Sequence, residues 1–248
     1  MARPLTPAEQ EWLERYEPGE WPRPSVTVDL AVFTVRDADL KVLLVRRKEL
    51  PYAGLWALPG GFVRVGPSRS DQGEDLDAAA HRELEEETGL RRGTVFLEQL
   101  RAFGAPGRDP RMRVISVAYA ALVAPEQAMV VVGGSDAAEA RFFSVGQELD
   151  ASALAFDHEQ VLSCAVQWIR RRLNDSAVAC ALVPETFTVA ELRAVHEAVQ
   201  GATHDPGNFR RRFKRMVTDG LIVQAPGRRH TGTKPARVYR FAPARGEA

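Results

Sequence analysis

The stretch Arg82-Glu83-Leu84-Glu85-Glu86-Glu87-Thr88-Gly89-Leu90 constrains this chain more than any other. On a helix, Glu83, Glu86 and Glu87 stand at i, i+3 and i+4, so three carboxylates share one face. Carboxylates held this close repel one another unless a cation compensates. A hard, oxygen-preferring ion such as Mg²⁺, itself coordinated by phosphates, is the usual compensation. Arg82, one turn before Glu86, is placed to pair with it and hold the carboxylates in position. The helix itself is predicted over 75–88.

Around that helix the chain reads as mixed strands and helices. Thr6, Pro7 and Glu9 predict a capped helix running to about Tyr16. A Pro-rich connector follows at 17–24. Two β-branched runs, VTVDLAVFTV and LKVLLVRR, flank the turn signal Asp37-Ala38-Asp39 and predict a hairpin. Further strands are expected at 56–65, 94–103, 114–123 and 140–145. A second helix is expected at 157–173, with Asp157 and Gln160 offering its cap. This order predicts a three-layer α/β sandwich over 25–174, with a linker at 175–186.

The last part of the chain is different in charge. From Phe187 to Ala248 there are 12 Lys+Arg against 5 Asp+Glu, which leaves 21 against 28 for the rest, although the whole chain is formally neutral. One end therefore favours polyanions. Thr188 and Glu191 form a capping box for a helix to about Val199, and Asp205-Pro206 opens another to about Thr218. In the latter, Phe209, Phe213, Met216 and Val217 form an apolar stripe, and Arg210, Arg211, Arg212, Lys214 and Arg215 fall off it. Two short strands separated by PGRRHTGTKP complete a helix, turn, helix and wing. A recognition helix would carry Asn208 and these cations into the major groove, with Arg228, Arg229, His230, Lys234 and Arg237 on the wing. The same pattern also suits RNA or a merely solvated basic helix.

The acidic helix resembles the second half of the Nudix signature, Arg-Glu-apolar-x-Glu-Glu-x-Gly-apolar, with Glu74 eight positions before Arg82 as that signature requires. Leu58-Pro59-Gly60-Gly61-Phe62 is similar to the family's strand and loop leading to the catalytic helix. The resemblance implies a mixed-sheet Nudix sandwich, with Mg²⁺ held by Glu83, Glu86 and Glu87, and Gly60 and Gly61 at the ligand. One departure is plain: twelve residues rather than five separate Gly61 from Glu74. The extra seven, 67–73, are loop-forming. They can bulge outward, or displace the loop from the metal face, and hydrolysis is expected to be slow or absent. A turn-rich loop at 103–111 is similar to one that lines the ligand pocket in ADP-ribose-handling relatives, making Arg108 and Arg111 ligand candidates.

With its C-terminal half included, the chain resembles the Nudix-related transcriptional regulators of NAD biosynthesis, built from a Nudix domain and a smaller C-terminal winged helix-turn-helix at 187–248. That resemblance implies a homodimeric repressor on a palindromic operator in double-stranded DNA, released by ADP-ribose. The alternative is a Mg²⁺-dependent ADP-ribose pyrophosphatase with an accessory basic domain, using Arg82, Glu83, Glu86 and Glu87 catalytically. Its general base would be Glu139 or Asp136, by position only. A cytoplasmic location is expected, since no apolar run approaches bilayer length. Cys164 and Cys180 lack metal or disulfide spacing and are expected as buried thiols.

Overall fold

The structure is a computed structural model that describes residues 5–68, 71–129, 137–146, 153–230 and 235–243. After helix α1 (Pro7–Arg15), strand β1 (Ser25–Arg36) is buried along almost its whole length. Its alternating residues serve two cores: Val28, Leu30 and Val32 face one, Ala31, Phe33 and Val35 the other. This is why the run reads as continuously apolar. It turns through Asp37 and Ala38, both at positive φ (56° and 57°), into β2 (Asp39–Arg47), the backbone a two-residue hairpin requires.

Short strands β3 (Trp56–Ala57) and β4 (Gly60–Phe62) follow, then α2 (Leu76–Thr88), β5 (Phe96–Phe103), β6 (Val114–Leu122), α3 (Pro125–Ala128) and β7 (Ala137–Ser144). The sheet runs β3-β2-β1-β6-β5, with β4 on β1 and β7 on β2; β1 and β6 are parallel and the other pairs antiparallel. Helix α2 packs on one face through Ala79, Ala80 and Leu84. Helix α4 (His158–Arg172) covers the other through Val161, Leu162, Ala165, Val166 and Ile169. These are the three layers the sequence predicts.

The expected linker at 175–186 contains a helix. Residues 176–181 form α5, and Val178, Leu182 and Val183 are buried in the same core as α4. The reason is visible in the run AVACALV, which is too apolar to remain solvated. Cys180 falls on the opposite side of this helix and is exposed, while Cys164 is half-buried, so neither is the fully buried thiol expected. The core then continues through Phe187, Leu192, Val195 and Val199 to Phe209, Phe213 and Ile222. These belong to α6 (Val189–Gln200), α7 (Pro206–Thr218) and the wing, β8 (Ile222–His230) with β9 (Pro235–Phe241). Both capping predictions hold: Thr188 and Glu191 cap α6 reciprocally, and Asp205 accepts from the N–H of Asn208. Among the described residues, no helix is long and apolar enough to cross a membrane.

Candidate functional site

Arg82 organises the acidic helix. Its guanidinium donates to Glu74 (2.5 and 3.0 Å), Glu83 (2.5 Å), Glu86 (3.0 Å) and the carbonyl of Phe62 (3.1 Å). Hydrogen bonds from Arg82 hold the Glu74 carboxyl down at about 2, and Glu74 in turn keeps Arg82 protonated well beyond the usual range. Burial pushes the Glu83 carboxyl up, against the pull of Arg82. The loop before the helix is fitted to these groups. A Cβ on Gly61 would lie 2.3 Å from Glu83 Oε1, and the N–H of Gly60 donates to Glu87 Oε2 at 3.0 Å. Each of the three carboxylates thus meets a protein donor, and among the described residues no three acidic, His or Cys side chains converge as a ready-made metal cage.

The seven additional residues leave this arrangement intact. Val65 pairs with Gly73, Glu74 N–H donates to the Arg64 carbonyl at 3.1 Å, and Arg64 N–H donates to Glu74 Oε1 at 2.8 Å. A Cβ on Gly73, which sits at φ +100°, would lie 2.0 Å from that same carbonyl. The insertion is therefore closed at its base, its described residues are exposed, and Glu74 stays on Arg82.

Beside the helix N-terminal loop lies a cleft of about 200 Å³ whose lining includes Gly60, Gly61, Glu87, Arg47, Arg111 and Phe156. Arg47 and Arg111 both approach the Phe156 ring, at 4.8 and 5.8 Å from its centroid, and Arg111 also lies 5.4 Å from that of Phe62. Burial and the charge of Arg111 lower the pKa of Arg47. Arg111 is also paired with Asp109 (2.7 and 3.0 Å), and Arg47 donates to the carbonyls of Pro51 and Glu49 (2.9 and 3.4 Å). The guanidinium donors left over face aromatic rings in one cleft and suit an anion carrying several oxygens. Tyr52 stacks edge-on against Phe156 at 5.0 Å. Both aromatics have positive φ, 64° and 55°, a conformation that costs a non-glycine residue about 1–3 kcal/mol and clusters at functional sites.

Arg108 is not an open ligand contact. Its side chain, only 5% exposed, lies in the cleft floor and donates to Asp157 (2.6 and 3.0 Å) and Asp29 (3.1 Å). Burial works against its charge, and those two carboxylates more than offset the loss, raising its pKa. Asp157, expected to cap α4 with its side chain, makes no cap hydrogen bond there. His158 Nδ1 accepts from the N–H of Leu58 at 2.9 Å, so a neutral ring carries its proton on Nε2, 3.6 Å from Asp29 Oδ1. Burial lowers the His158 pKa and keeps the ring neutral. Sequence reasoning missed Asp29, Arg47, Phe156 and His158. Glu139 is exposed on β7 and does not line the cleft, and Asp136 lies outside the described residues.

In the C-terminal domain the basic residues separate by what holds them. Arg210, Arg211, Lys214 and Arg215 are exposed along one side of α7, and none forms an ion pair among the described residues; Arg211 donates to Asn208. Arg228 and Arg237 are exposed directly opposite each other across the wing, a like-charge pairing that is unfavourable without a polyanion. Arg212 differs, donating to Asn174 Oδ1 at 2.6 Å, and burial lowers its pKa. Arg229 is bound to Glu191 (2.8 and 2.9 Å) and to Thr186 (3.0 and 3.1 Å). Those two sit on the protein side of the domain rather than on its cationic face. His230 is exposed at the end of β8, and Lys234 lies outside the described residues.

Comparison with known proteins finds a match in each part of the chain. Residues 26–163 match the NUDIX domain, and residues 179–241 match the NrtR DNA-binding winged helix domain. The ADPR responsive transcriptional repressor NtrR of Acinetobacter baylyi is 34% identical over 235 residues, 95% of this chain and 89% of its own. The ADP-ribose pyrophosphatase of Methanocaldococcus jannaschii is 37% identical over 145 residues, 58% of this chain and 75% of its own. The NrtR of Shewanella oneidensis bound to a 27mer DNA superimposes with a TM-score of 0.72 at 31% identity, covering 88% of this chain and 94% of that one. Its NUDIX domain bound to ADP ribose superimposes with a TM-score of 0.55 at 31% identity, covering 66% and 99%.

Proposed function

Because this chain belongs to the Nudix family and joins that domain to a winged helix of the NrtR type, we propose that it is a transcriptional repressor whose grip on double-stranded DNA is released by ADP-ribose. The observation that carries this reading is the set of exposed arginines on α7 and the wing, none in an ion pair among the described residues. The helix and wing that carry them are packed, through Phe209, Phe213 and Ile222, into the same core as Leu58 of the cleft. The regulated genes are those of NAD synthesis or salvage, and the protein acts in the cytoplasm as a homodimer on a palindromic operator.

In the cleft, Arg47 and Arg111 grip the pyrophosphate, Gly60 and Gly61 admit it close to the backbone, and Arg108 fixes the floor. The oxygen-only donor set of Glu83, Glu86 and Glu87 suits Mg²⁺, and Glu83 is the best supported of the three, since its buried carboxylate has most to gain from a second cation. When bound, Mg²⁺ would neutralise phosphate charge. On DNA, Arg210, Arg211, Lys214 and Arg215 meet phosphates, Asn208 faces base edges, and Arg228 and Arg237 extend the footprint along the wing.

A second reading, a hydrolase of ADP-ribose, is favoured by one observation: the insertion does not displace Glu74 from Arg82. Mobility-shift titrations with the upstream regions of NAD biosynthesis genes, with and without ADP-ribose, distinguish the two. Release of a specific complex by intact ADP-ribose supports the repressor. Turnover near the enzyme median of about 10 per second, with no specific DNA complex, would replace it by the hydrolase.

A further inference from the structure

Three consecutive residues, Phe156, Asp157 and His158, meet the cleft in three different ways. The Phe156 ring lines it and is approached by Arg47 and Arg111, Asp157 holds Arg108 at 2.6 Å, and His158 binds the N–H of Leu58, immediately before the Pro59-Gly60-Gly61 loop. The same three residues lead into α4. At the other end of α4, Arg170 donates to the Val199 carbonyl at 3.0 Å and its own carbonyl accepts from Gln200 Nε2 at 2.9 Å, both residues being on α6. Just beyond, Asn174 accepts from Arg212 of the recognition helix α7.

We propose that Phe156–Asp157–His158 is the sensing segment through which an occupied cleft acts on the winged helix, with α4 as the rigid element between them. The proposal rests on the reading of the cleft as an ADP-ribose site and of α7 as a DNA-binding helix. A ligand can shift a conformational equilibrium only through unequal affinity for its two states, and the cleft supplies such an inequality. In the structure described, Arg47 and Arg111 face the Phe156 ring. A pyrophosphate that engages both guanidiniums competes for them with the ring, and for Arg111 also with Asp109, which holds it at 2.7 and 3.0 Å. Phe156 is held at φ 55°, which an aromatic residue abandons once its contacts no longer enforce it. A change of backbone at Phe156 re-aims the first turn of α4. Because α4 is packed along its length by Val161, Ala165, Val166 and Ile169, it moves as a body instead of bending. Asp157 and His158 are positioning residues in this scheme. They tie the helix to the cleft floor so that a displacement of one becomes a displacement of the other.

The test uses the full-length protein, with ADP-ribose and an operator duplex titrated separately and then each in the presence of the other. In the wild-type protein each ligand weakens the other by a common factor, in the range of about 5- to 150-fold. Arg170→Ala lies at the surface, remote from both sites, and keeps both separate affinities near wild type while bringing that factor close to one. Asp157→Asn, which loosens Arg108 at the cleft floor, and Phe156→Leu each weaken ADP-ribose and lower the factor together. If Asp157→Asn does not fold, Arg170→Ala carries the test alone. An undiminished factor in Arg170→Ala, with both ligands still bound, overturns the proposed route and leaves the repressor reading standing. A factor of one in the wild-type protein overturns both.

Discussion

Replacing Arg211 and Arg215 together by alanine removes two of the four exposed cations that line one side of α7. Each phosphate contact contributes about 0.9 to the slope of log K against log[salt]. At 0.15 M salt that slope corresponds to about fivefold in affinity per contact, and to about 30-fold for two. The loss should shrink as salt rises and nearly vanish toward 1 M, because the counterions released by these contacts are then no longer dilute. Should Arg211 read a base edge instead, its share of the loss would persist at high salt and fall on specific DNA only. Fluorescence anisotropy with a labelled operator duplex and a scrambled one, over a range of KCl, separates these cases. Arg229→Ala is the internal control: bound to Glu191 and Thr186, Arg229 should leave the slope unchanged while lowering the thermal midpoint of the winged helix. An unaltered slope and affinity in the double variant, or an equal change in Arg229→Ala, would refute the assignment of this face to DNA.

Arg82→Ala leaves Glu74, Glu83 and Glu86 without their common cation; breaking a buried pair costs about 3–5 kcal/mol, and the half-exposed Glu86 places this site near the lower end. Calorimetry should show that loss, and millimolar Mg²⁺ should recover part of it; no recovery would count against Mg²⁺ at this helix. Glu74, held at about 2 against an ordinary 4.5, contributes stability in full above the ordinary value, and loses it as pH falls from there toward the folded one. Urea midpoints should therefore fall more steeply across that window in the wild-type protein than in Glu74→Gln, and parallel curves would remove Glu74 as a source of acid lability.

The parts of the molecule that sequence reveals best are those specified by neighbours along the chain. The capping boxes at Thr6 and Thr188 depend on residues three apart, and the alternation in β1 and the stripe on α7 depend on fixed periods, so each could be read directly. Glu83, Glu86 and Glu87 were legible for the same reason. The cleft was not, because its members are far apart in sequence: Asp29, Arg108 and Asp157 come from β1, a loop and the start of α4. Local reasoning assigned Asp157 to the helix cap, the role its position alone suggests, and a long-range ion pair took the side chain instead. Arg47 closes a strand in a basic run that looks like an ordinary solvated end. Arg212 and Arg229 share the composition of their exposed neighbours, and only tertiary partners distinguish them.

Helix α5 has a consequence for the way such a protein would measure DNA. A linker of the kind the sequence suggested would leave slack between the domains, and a dimer with slack can reach half-sites at several separations. With Val178, Leu182 and Val183 committed to the shared core, the winged helix has no tether to pay out. In the proposed dimer, the distance between the two recognition helices becomes a fixed dimension of the protein. An operator whose half-sites are moved apart by half a turn of duplex, about five base pairs, presents one of them on the far side of the DNA. A body without slack would not follow it there, so the proposed dimer would act as a ruler for phase along the duplex as well as a reader of its sequence.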